Sequence, residues 1–203
     1  MQPKILSKQL LLPIILLWLI LFIIFFSYFT QKELIYNQLS SSLKSILTPS
    51  EIEAISIGLP VRLEIPKIKV DAVVKYVGLT SGGAINVPKN PAEVAWFNLG
   101  PPPGYVGNSI MVGHYGWENS LPAVFDNLYQ LKLGDKIFVE DDKGLINTFV
   151  VREIKIYNKD DQALVVFDSS DGKAHLNLIT CTGPWDKTLG SRSSRLVVFT
   201  DLE

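Results

Sequence analysis

An uncharged apolar run near the N-terminus constrains this chain more than any other feature of its sequence. Residues 10–29, LLLPIILLWLILFIIFFSYF, contain no charged side chain. Twenty helical residues rise about 30 Å, which is the thickness of the hydrocarbon core of a bilayer. Backbone groups in lipid must be hydrogen-bonded within the segment, so the run is expected to be helical. It is therefore predicted to be a transmembrane anchor.

The residues on either side of this run predict its orientation. A cleaved signal peptide would have a shorter apolar core, of about 7–15 residues, and a small-residue cleavage site, which the following residues lack. Lys4 and Lys8 precede the run, so residues 1–9 are expected to stay in the cytoplasm. Residues 30–60 are polar and serine-rich and are predicted to be a stalk. Residues 61–203 then form an extracellular domain on a single-pass membrane protein.

From residue 61 onward, short β-branched runs alternate with Gly, Pro, Asn and Asp. This pattern is typical of a small all-β barrel or sandwich, and about 140 residues are enough for one core. A helical spacing of apolar residues over 121–135 predicts one short helix on the barrel. The predicted strands are VRLEIPKI (61–68), VDAVVKYVGL (70–79), GAINVP (83–88), NSIMVGH (108–114), DKIFVED (135–141), NTFVVREIKIY (147–157), AHLNLIT (174–180) and SRLVVFT (194–200).

Charge and cysteine content exclude several classes of protein. The net charge is −1, so no basic field indicates nucleic acid. The acidic stretches EDDK (140–143) and NKDDQ (158–162) are expected to be solvated turns, and neither a metal nor a cofactor is predicted. Cys181 is the only cysteine, so no internal disulfide supports the domain. It is either a small buried residue or a nucleophile.

The position of Cys181 in its strand favours the nucleophile. Side chains alternate along AHLNLITC, so Leu176 and Leu178 share the core face with Thr180. The opposite face, directed toward the surface or a groove, carries Cys181 together with His175, Asn177 and Ile179.

A catalytic cysteine needs a base, and the chain has two histidines. His175 lies on the same strand as Cys181, but a separation of six residues at about 3.3 Å each places it about 20 Å away. His175 is therefore predicted to be a surface residue. His114 ends an apolar run between glycines that allow the backbone to turn closely. It is the candidate base.

Acyl transfer also needs a group that stabilises the oxyanion. If the strands that contain Cys181 and RLVVF form an antiparallel hairpin, Arg195 lies beside Cys181, because opposed Cβ atoms are about 5 Å apart. Its guanidinium stays protonated and donates several hydrogen bonds in one plane. Arg192, in the segment GSRSS, is expected to be a solvated loop residue.

Together these residues resemble the sortase family. The resemblance covers residues 61–200 and is carried by LITC, by the arginine that opens RLVVF, by the upstream GH, by the N-terminal anchor, and by LEIPKIKVDAVV, INVPKNPAEVAWF and PAVFDNLYQLKLGDKIFV. The family pattern TLxTC is NLITC here, so Asn177 replaces the first threonine, a departure that concerns substrate contacts more than mechanism. The compact single domain looks most similar to classes E and F.

The resemblance implies a closed eight-stranded β-barrel and a cysteine transpeptidase. Cys181 would attack the Thr–Gly carbonyl of an LPxTG-like sorting signal and form a thioacyl-enzyme, while His114 would protonate the leaving amine and then deprotonate the incoming one. Arg195 would stabilise the oxyanion or position the peptide, and Thr180 would help to line that site. The implied partners are sorting-signal proteins and an amine acceptor, either a cell-wall precursor or a pilin lysine.

Two other functions stay open from the residues alone. One is a cysteine hydrolase that releases the acid, although in papain-like families the histidine follows the cysteine, whereas His114 precedes Cys181. The other is a non-catalytic β-domain held at the membrane as an adhesin or assembly factor. Rapid modification of Cys181 by a thiol reagent, and incorporation of an added amine into the product, distinguish the three.

Overall fold

The chain divides into two units, Met1–Ser56 and Ile57–Glu203. The computed structural model describes residues 58–117, 121–188 and 190–203, and in the first unit Trp18, Leu19, Leu21, Phe22, Phe25, Phe26, Ser27 and Gln31, which are helical. Within these described residues no helix has the length and apolar character that a membrane crossing requires. Most of the predicted anchor (10–29) and stalk (30–60) lies outside the described residues.

The second unit is built from eight strands. They are β1 (Pro60–Ile65), β2 (Val70–Val77), β3 (Val94–Phe97), β4 (Gly107–Gly113), β5 (Lys136–Asp141), β6 (Ile146–Asn158), β7 (Ala174–Asp186) and β8 (Ser191–Leu202). They close into a barrel in the order β1–β2–β3–β4–β7–β8–β6–β5, and β5 pairs again with β1. The β2–β3 and β4–β7 pairs are parallel and the other pairs antiparallel. The expected closed eight-stranded barrel is thus confirmed.

Side chains alternate between the inside and the outside of the barrel along each strand, and the inward ones form its core. In β2, Val70, Ala72 and Val74 are buried while the residues between them are exposed, as the period of two requires. The interior cluster also contains the fully buried rings of Phe125 and Phe149.

A second, smaller apolar cluster involves β3, β4, β8 and the connection between β6 and β7. Its buried members are Ala95, Ile110, Val112, Val166, Val197 and Phe199. Val166 belongs to the 3₁₀ helix Leu164–Val166 of the β6–β7 connection. Because this connection packs against the sheet from outside, β7 is buried on both faces from His175 to Leu178.

Seven of the eight predicted strand segments coincide with observed strands, and the differences have physical reasons. The segment 83–88 forms only an isolated bridge. The sequence pattern missed β3, where three of four consecutive residues are buried, because a strand covered on both faces loses its alternation. The helix expected over 121–135 is one 3₁₀ turn, Leu128–Gln130.

The prediction of a solvated turn over 140–143 holds for Asp142 and Lys143, which form an exposed turn, but not for Asp141. Asp141 ends β5 with only 7% of its surface exposed, and its carboxylate accepts hydrogen bonds from the backbone N–H groups of Lys143 and Leu145. In the second stretch Asp161 accepts the N–H of Asn158, as in a surface turn. The described residues contain no cluster of three or more metal-ligating side chains.

Candidate active site

The parallel pairing of β4 with β7 brings His114 and Cys181 to the same edge of the barrel. Val112 and Ile179 are partners in this pair, so the carboxyl end of β4 lies beside the middle of β7. His114 directly follows the end of β4, and Cys181 lies two residues beyond Ile179. Both side chains line a single cleft of about 510 Å³.

This cleft is open, and its described lining includes a tyrosine and two tryptophans. Cys181 is half-buried and is a free thiol. Trp185 is 58% exposed, so the cleft offers apolar surface to a ligand from outside. The other described lining residues are Tyr115, Gly116, Trp117, Gly190, Ser191 and Arg192.

The hydrogen bond of His114 defines which of its nitrogens is available. Nε2 lies 2.7 Å from the carbonyl oxygen of Pro88. A carbonyl only accepts, so Nε2 carries the hydrogen, and in the neutral ring Nδ1 is the acceptor. The ring is held edge-on against Trp117, with 4.5 Å between ring centroids. Among the described contacts none joins His114 to Cys181 by a hydrogen bond, so the ring is positioned independently of the thiol.

The loop that carries His114 is held in place by hydrogen bonds to the segment around Phe125. The N–H of Phe125 donates to the carbonyl oxygen of His114 at 3.0 Å, and the carboxylate of Asp126 accepts the N–H of Gly116 at 2.6 Å. A Cβ on Gly113 would lie 2.6 Å from the Phe125 ring, so only glycine allows this packing. Glycine at position 113 therefore allows the segment around Phe125 to pack against the loop that carries His114.

Arg195 lies directly opposite Cys181 in the antiparallel β7–β8 pair, so the predicted hairpin register is confirmed. Its Nη1 donates to the carbonyl oxygens of Arg192 and Ser194, each at 2.9 Å, and its Nη2 donates to Oγ of Ser191 at 3.2 Å. Its guanidinium thus holds the beginning of β8 in the structure and is not among the described side chains that line the cleft.

Arg192 was wrongly predicted to be a solvated loop residue. It belongs to β8, where it pairs with Trp185, and it lines the cleft. Its guanidinium carbon lies 4.7 Å from the centre of the Tyr115 ring, and its Nη1 donates to the carbonyl oxygen of Gly183 at 2.8 Å. The Gly- and Ser-rich sequence resembles a loop, but here strand pairing continues through it beyond a bulge in β7.

Thr180, the fourth candidate residue, lies on the barrel side of β7. Its hydroxyl is buried and donates to the carbonyl oxygen of Gly113 at 2.8 Å. Its side chain therefore joins the end of β4 to the middle of β7 and is not among the described side chains that line the cleft. This bond fixes the two backbones that carry His114 and Cys181.

The prediction that His175 is a surface residue was wrong. It is only 3% exposed, because the connection before β7 covers that face of the strand. Its Nδ1 lies 2.7 Å from Asp201 and its Nε2 lies 3.0 Å from Asp171. The hydrogen bond from His175 is the main cause of a lowered pKa of Asp171, with the backbone N–H of Lys173 the next cause.

Comparison with known proteins identifies the family to which this domain is similar. The family model of the sortase domain matches residues 63–203. Sortase A of Streptococcus agalactiae serotype III (strain NEM316) is 29% identical over 172 residues, which is 80% of this chain and 62% of that relative. The chain thus spans less than two thirds of the length of this curated relative.

Solved structures show the same fold. Sortase C-1 of Actinomyces oris is 27% identical, with a TM-score of 0.53 over 71% of this chain and 74% of that chain. A lid mutant of sortase A from Corynebacterium diphtheriae is 22% identical, with a TM-score of 0.56 over 74% of this chain and 73% of that chain. These relatives are sortases A and C, so the similarity to classes E and F is not confirmed. Since the family model extends from β1 to the last residue, the chain belongs to the sortase family.

Proposed function

We propose that this chain is a membrane-anchored cysteine transpeptidase that cleaves an LPxTG-like sorting signal and transfers the protein to an amine acceptor at the cell surface. The observation that carries the proposal is the placement of Cys181 and His114 in one cleft, with Arg195 opposite Cys181 in the strand register. Membership of the sortase family supports the same class of reaction.

In the first half-reaction the thiolate of Cys181 attacks the carbonyl carbon between Thr and Gly of the signal. An S–C bond forms and the C–N bond breaks, so the leaving amine needs a proton. Nε2 of His114 is held by the carbonyl of Pro88, and Nδ1 is therefore the nitrogen that delivers the proton. In the second half-reaction Nδ1 takes a proton from the incoming amine, which attacks the thioester and releases the thiolate.

Arg195 supplies the positive charge for the oxyanion in this proposal. Its Nη groups bond to main-chain and hydroxyl oxygens in the structure, so contact with substrate requires it to exchange one of these acceptors for the oxyanion. The developing negative charge is a stronger acceptor than a carbonyl oxygen, which favours the exchange during reaction. Thr180 supports the site through its bond to Gly113.

An apolar surface beside Cys181 suits the Leu–Pro part of the signal. Ile179 shares the outer face of β7 with Cys181 and packs against the cluster that contains Ala163 and Val166. Next to them Leu164 is 72% exposed and Val165 56% exposed. An extended peptide that places its scissile carbonyl at the thiol has these side chains within reach of its apolar residues.

The membrane anchor in this proposal is inferred from the sequence alone. Residues 10–29 are uncharged and long enough for a bilayer, and Lys4 and Lys8 favour a cytoplasmic N-terminus. The catalytic unit then faces the outside of the cell, where surface proteins and their acceptors are found.

The test is a transfer assay in which the chain is mixed with an LPxTG-like peptide and an amine, and the products are identified by mass spectrometry. Cys181→Ala is expected to give no product, because the thioacyl bond cannot form. His114→Gln retains an amide N–H for the carbonyl of Pro88 but has no titrating nitrogen, so kcat is expected to fall by about 10²–10⁴-fold. His175→Gln, when folded, is the matched control and is expected to retain the kcat of the wild-type protein.

Three results contradict the proposal. Hydrolysed peptide without amine product indicates a cysteine hydrolase. A Cys181 thiol that does not react with peptide or thiol reagent indicates a non-catalytic domain. Equal losses of kcat in His114→Gln and His175→Gln, at equal folded fractions, remove His114 from the role of acid and base.

A further inference from the structure

Arg192 spans the cleft from one wall to the other. Its guanidinium lies over the ring of Tyr115 on the His114 loop, and its Nη1 donates to the carbonyl of Gly183 on the Cys181 strand. Its Nη2 approaches the His114 loop so closely that a Cβ on Gly116 would lie 3.2 Å from it. The guanidinium is therefore fixed in position before any ligand arrives.

The guanidinium of Arg192 still has N–H groups that are available to a ligand. In the described part of the chain, Nε and Nη2 of Arg192 have no hydrogen-bond acceptor. Among the described residues that line the cleft, Arg192 is the only one with a permanent charge, and none is a carboxylate. The Nε–Nη2 edge of a guanidinium matches the two oxygens of a carboxylate.

The charge of Arg192 has no counter-ion within the described contacts, whereas Arg62 and Arg152 each have one. Arg62 pairs with Asp71, and Arg152 pairs with Asp201. Stacking on Tyr115 and one carbonyl contact order the group without neutralising it. An arginine that is ordered, partly desolvated and uncompensated in a cleft attracts an anion.

We propose that Arg192 is a specificity-determining residue that binds a carboxylate of the substrate beside Cys181. The inference rests on the proposed transpeptidase function. The carboxylate belongs either to an acidic side chain at the variable position of the sorting signal or to the acceptor, next to its amine. Arg195 contributes indirectly, because its bond to the carbonyl of Arg192 fixes the backbone from which this side chain extends.

The first arm of the experiment measures binding without turnover. The full-length Cys181→Ala chain is titrated with fluorescein-labelled Leu-Pro-Glu-Thr-Gly and Leu-Pro-Gln-Thr-Gly peptides, and Kd is obtained from anisotropy. With Arg192 present the Glu peptide is expected to bind about tenfold more tightly than the Gln peptide. Arg192→Gln is expected to abolish this preference, and Arg192→Lys, which keeps the charge but not the paired donors, to retain part of it.

The second arm measures transfer by the chain with Cys181 intact. Glycylglycine and glycylglycine amide are compared as acceptors, and the ratio of the two products gives the preference for an acceptor carboxylate. Lys187→Gln is the matched control for both arms, because it removes a charge from the exposed turn between β7 and β8 without changing a described cleft-lining residue. It is expected to leave both preferences unchanged.

The results of the two arms distinguish the sorting signal from the acceptor as the source of the carboxylate. A Kd preference that depends on Arg192 assigns the carboxylate to the sorting signal, and a product ratio that depends on Arg192 assigns it to the acceptor. If neither preference exists, or if both survive in Arg192→Gln, the inference is wrong. A Kd preference without turnover by any chain leaves the Arg192 site intact and overturns the proposed function instead.

Discussion

At the scale of single residues, the two histidines differ in role because their hydrogen-bond partners differ. His114 has one fixed nitrogen and one available nitrogen, which suits proton transfer. His175 lies between Asp171 and Asp201, with one ring nitrogen within hydrogen-bond distance of each carboxylate. Its buried position makes it part of the structural support of β7 rather than of the reaction.

The pairing of His175 with Asp171 predicts a pH-dependent contribution to stability. The pKa of Asp171 is lowered in the folded protein, first by the hydrogen bond from His175. A lowered pKa stabilises the fold above the ordinary carboxyl value, about 3.9, and this contribution is lost as the pH falls through the lower folded value. Asp171→Asn is therefore expected to reduce the free energy of unfolding more at pH 6 than at pH 3.

Urea unfolding followed by circular dichroism measures this difference. Asp168→Asn, an exposed carboxylate in the same connection, is the control and is expected to show little effect at either pH. A loss of stability in Asp171→Asn that is the same at both pH values would show that the carboxylate acts through its shape and not through its charge.

At the scale of elements, the β6–β7 connection is held by two buried asparagines. Asn177 donates to the carbonyl of Val166 at 2.7 Å, and Asn108 donates to the carbonyls of Val165 and Val166 at 3.0 and 3.2 Å. The residue that departs from the family pattern thus has a structural role, since it ties the apolar surface beside Cys181 to the sheet.

Asn177→Ala is expected to destabilise the fold by about 0.5–1.5 kcal/mol, the net contribution of one hydrogen bond, because the carbonyl of Val166 keeps only its longer bond from Asn108. It is also expected to raise KM for the sorting peptide more than it lowers kcat, because the apolar surface shifts while the Cys181–His114 placement is kept. Peptide kinetics and thermal unfolding check both parts. Asn108→Ala should behave similarly and the exposed Asn127→Ala should not; a selective loss of kcat in Asn177→Ala would argue against this role.

The alternation of side chains along the strands predicts some features of these elements and leaves others undetermined. Alternation placed Cys181 and Arg195 opposite each other correctly, because a strand period and a hairpin fix the register locally. It also identified which residues share a face with Cys181, but it contains no information on what covers that face. His175 and Asn177 were therefore expected near the surface, although the preceding connection buries them.

At the scale of the whole molecule, the barrel contains its own core. Every buried hydrophobic residue among those described lies between Leu63 and Phe199. A chain of residues 57–203 is therefore expected to unfold within about 2 °C of the full-length protein and to retain transfer activity. Under the proposed anchoring it stays in the supernatant when the full-length chain sediments with membranes. A large drop in the unfolding temperature would show that the barrel depends on the first unit.

The parallel pairing of β4 with β7 also determines the stage of folding at which the cleft around Cys181 forms. The bond between Thr180 and Gly113 joins residues 67 positions apart, and a contact of this separation carries a high loop-closure entropy. In an unfolded or half-folded chain Cys181 therefore has no cleft around it and does not share a site with His114. Under the proposed function, catalytic competence appears only with cooperative closure of the barrel, so a newly made chain is latent until it has finished folding.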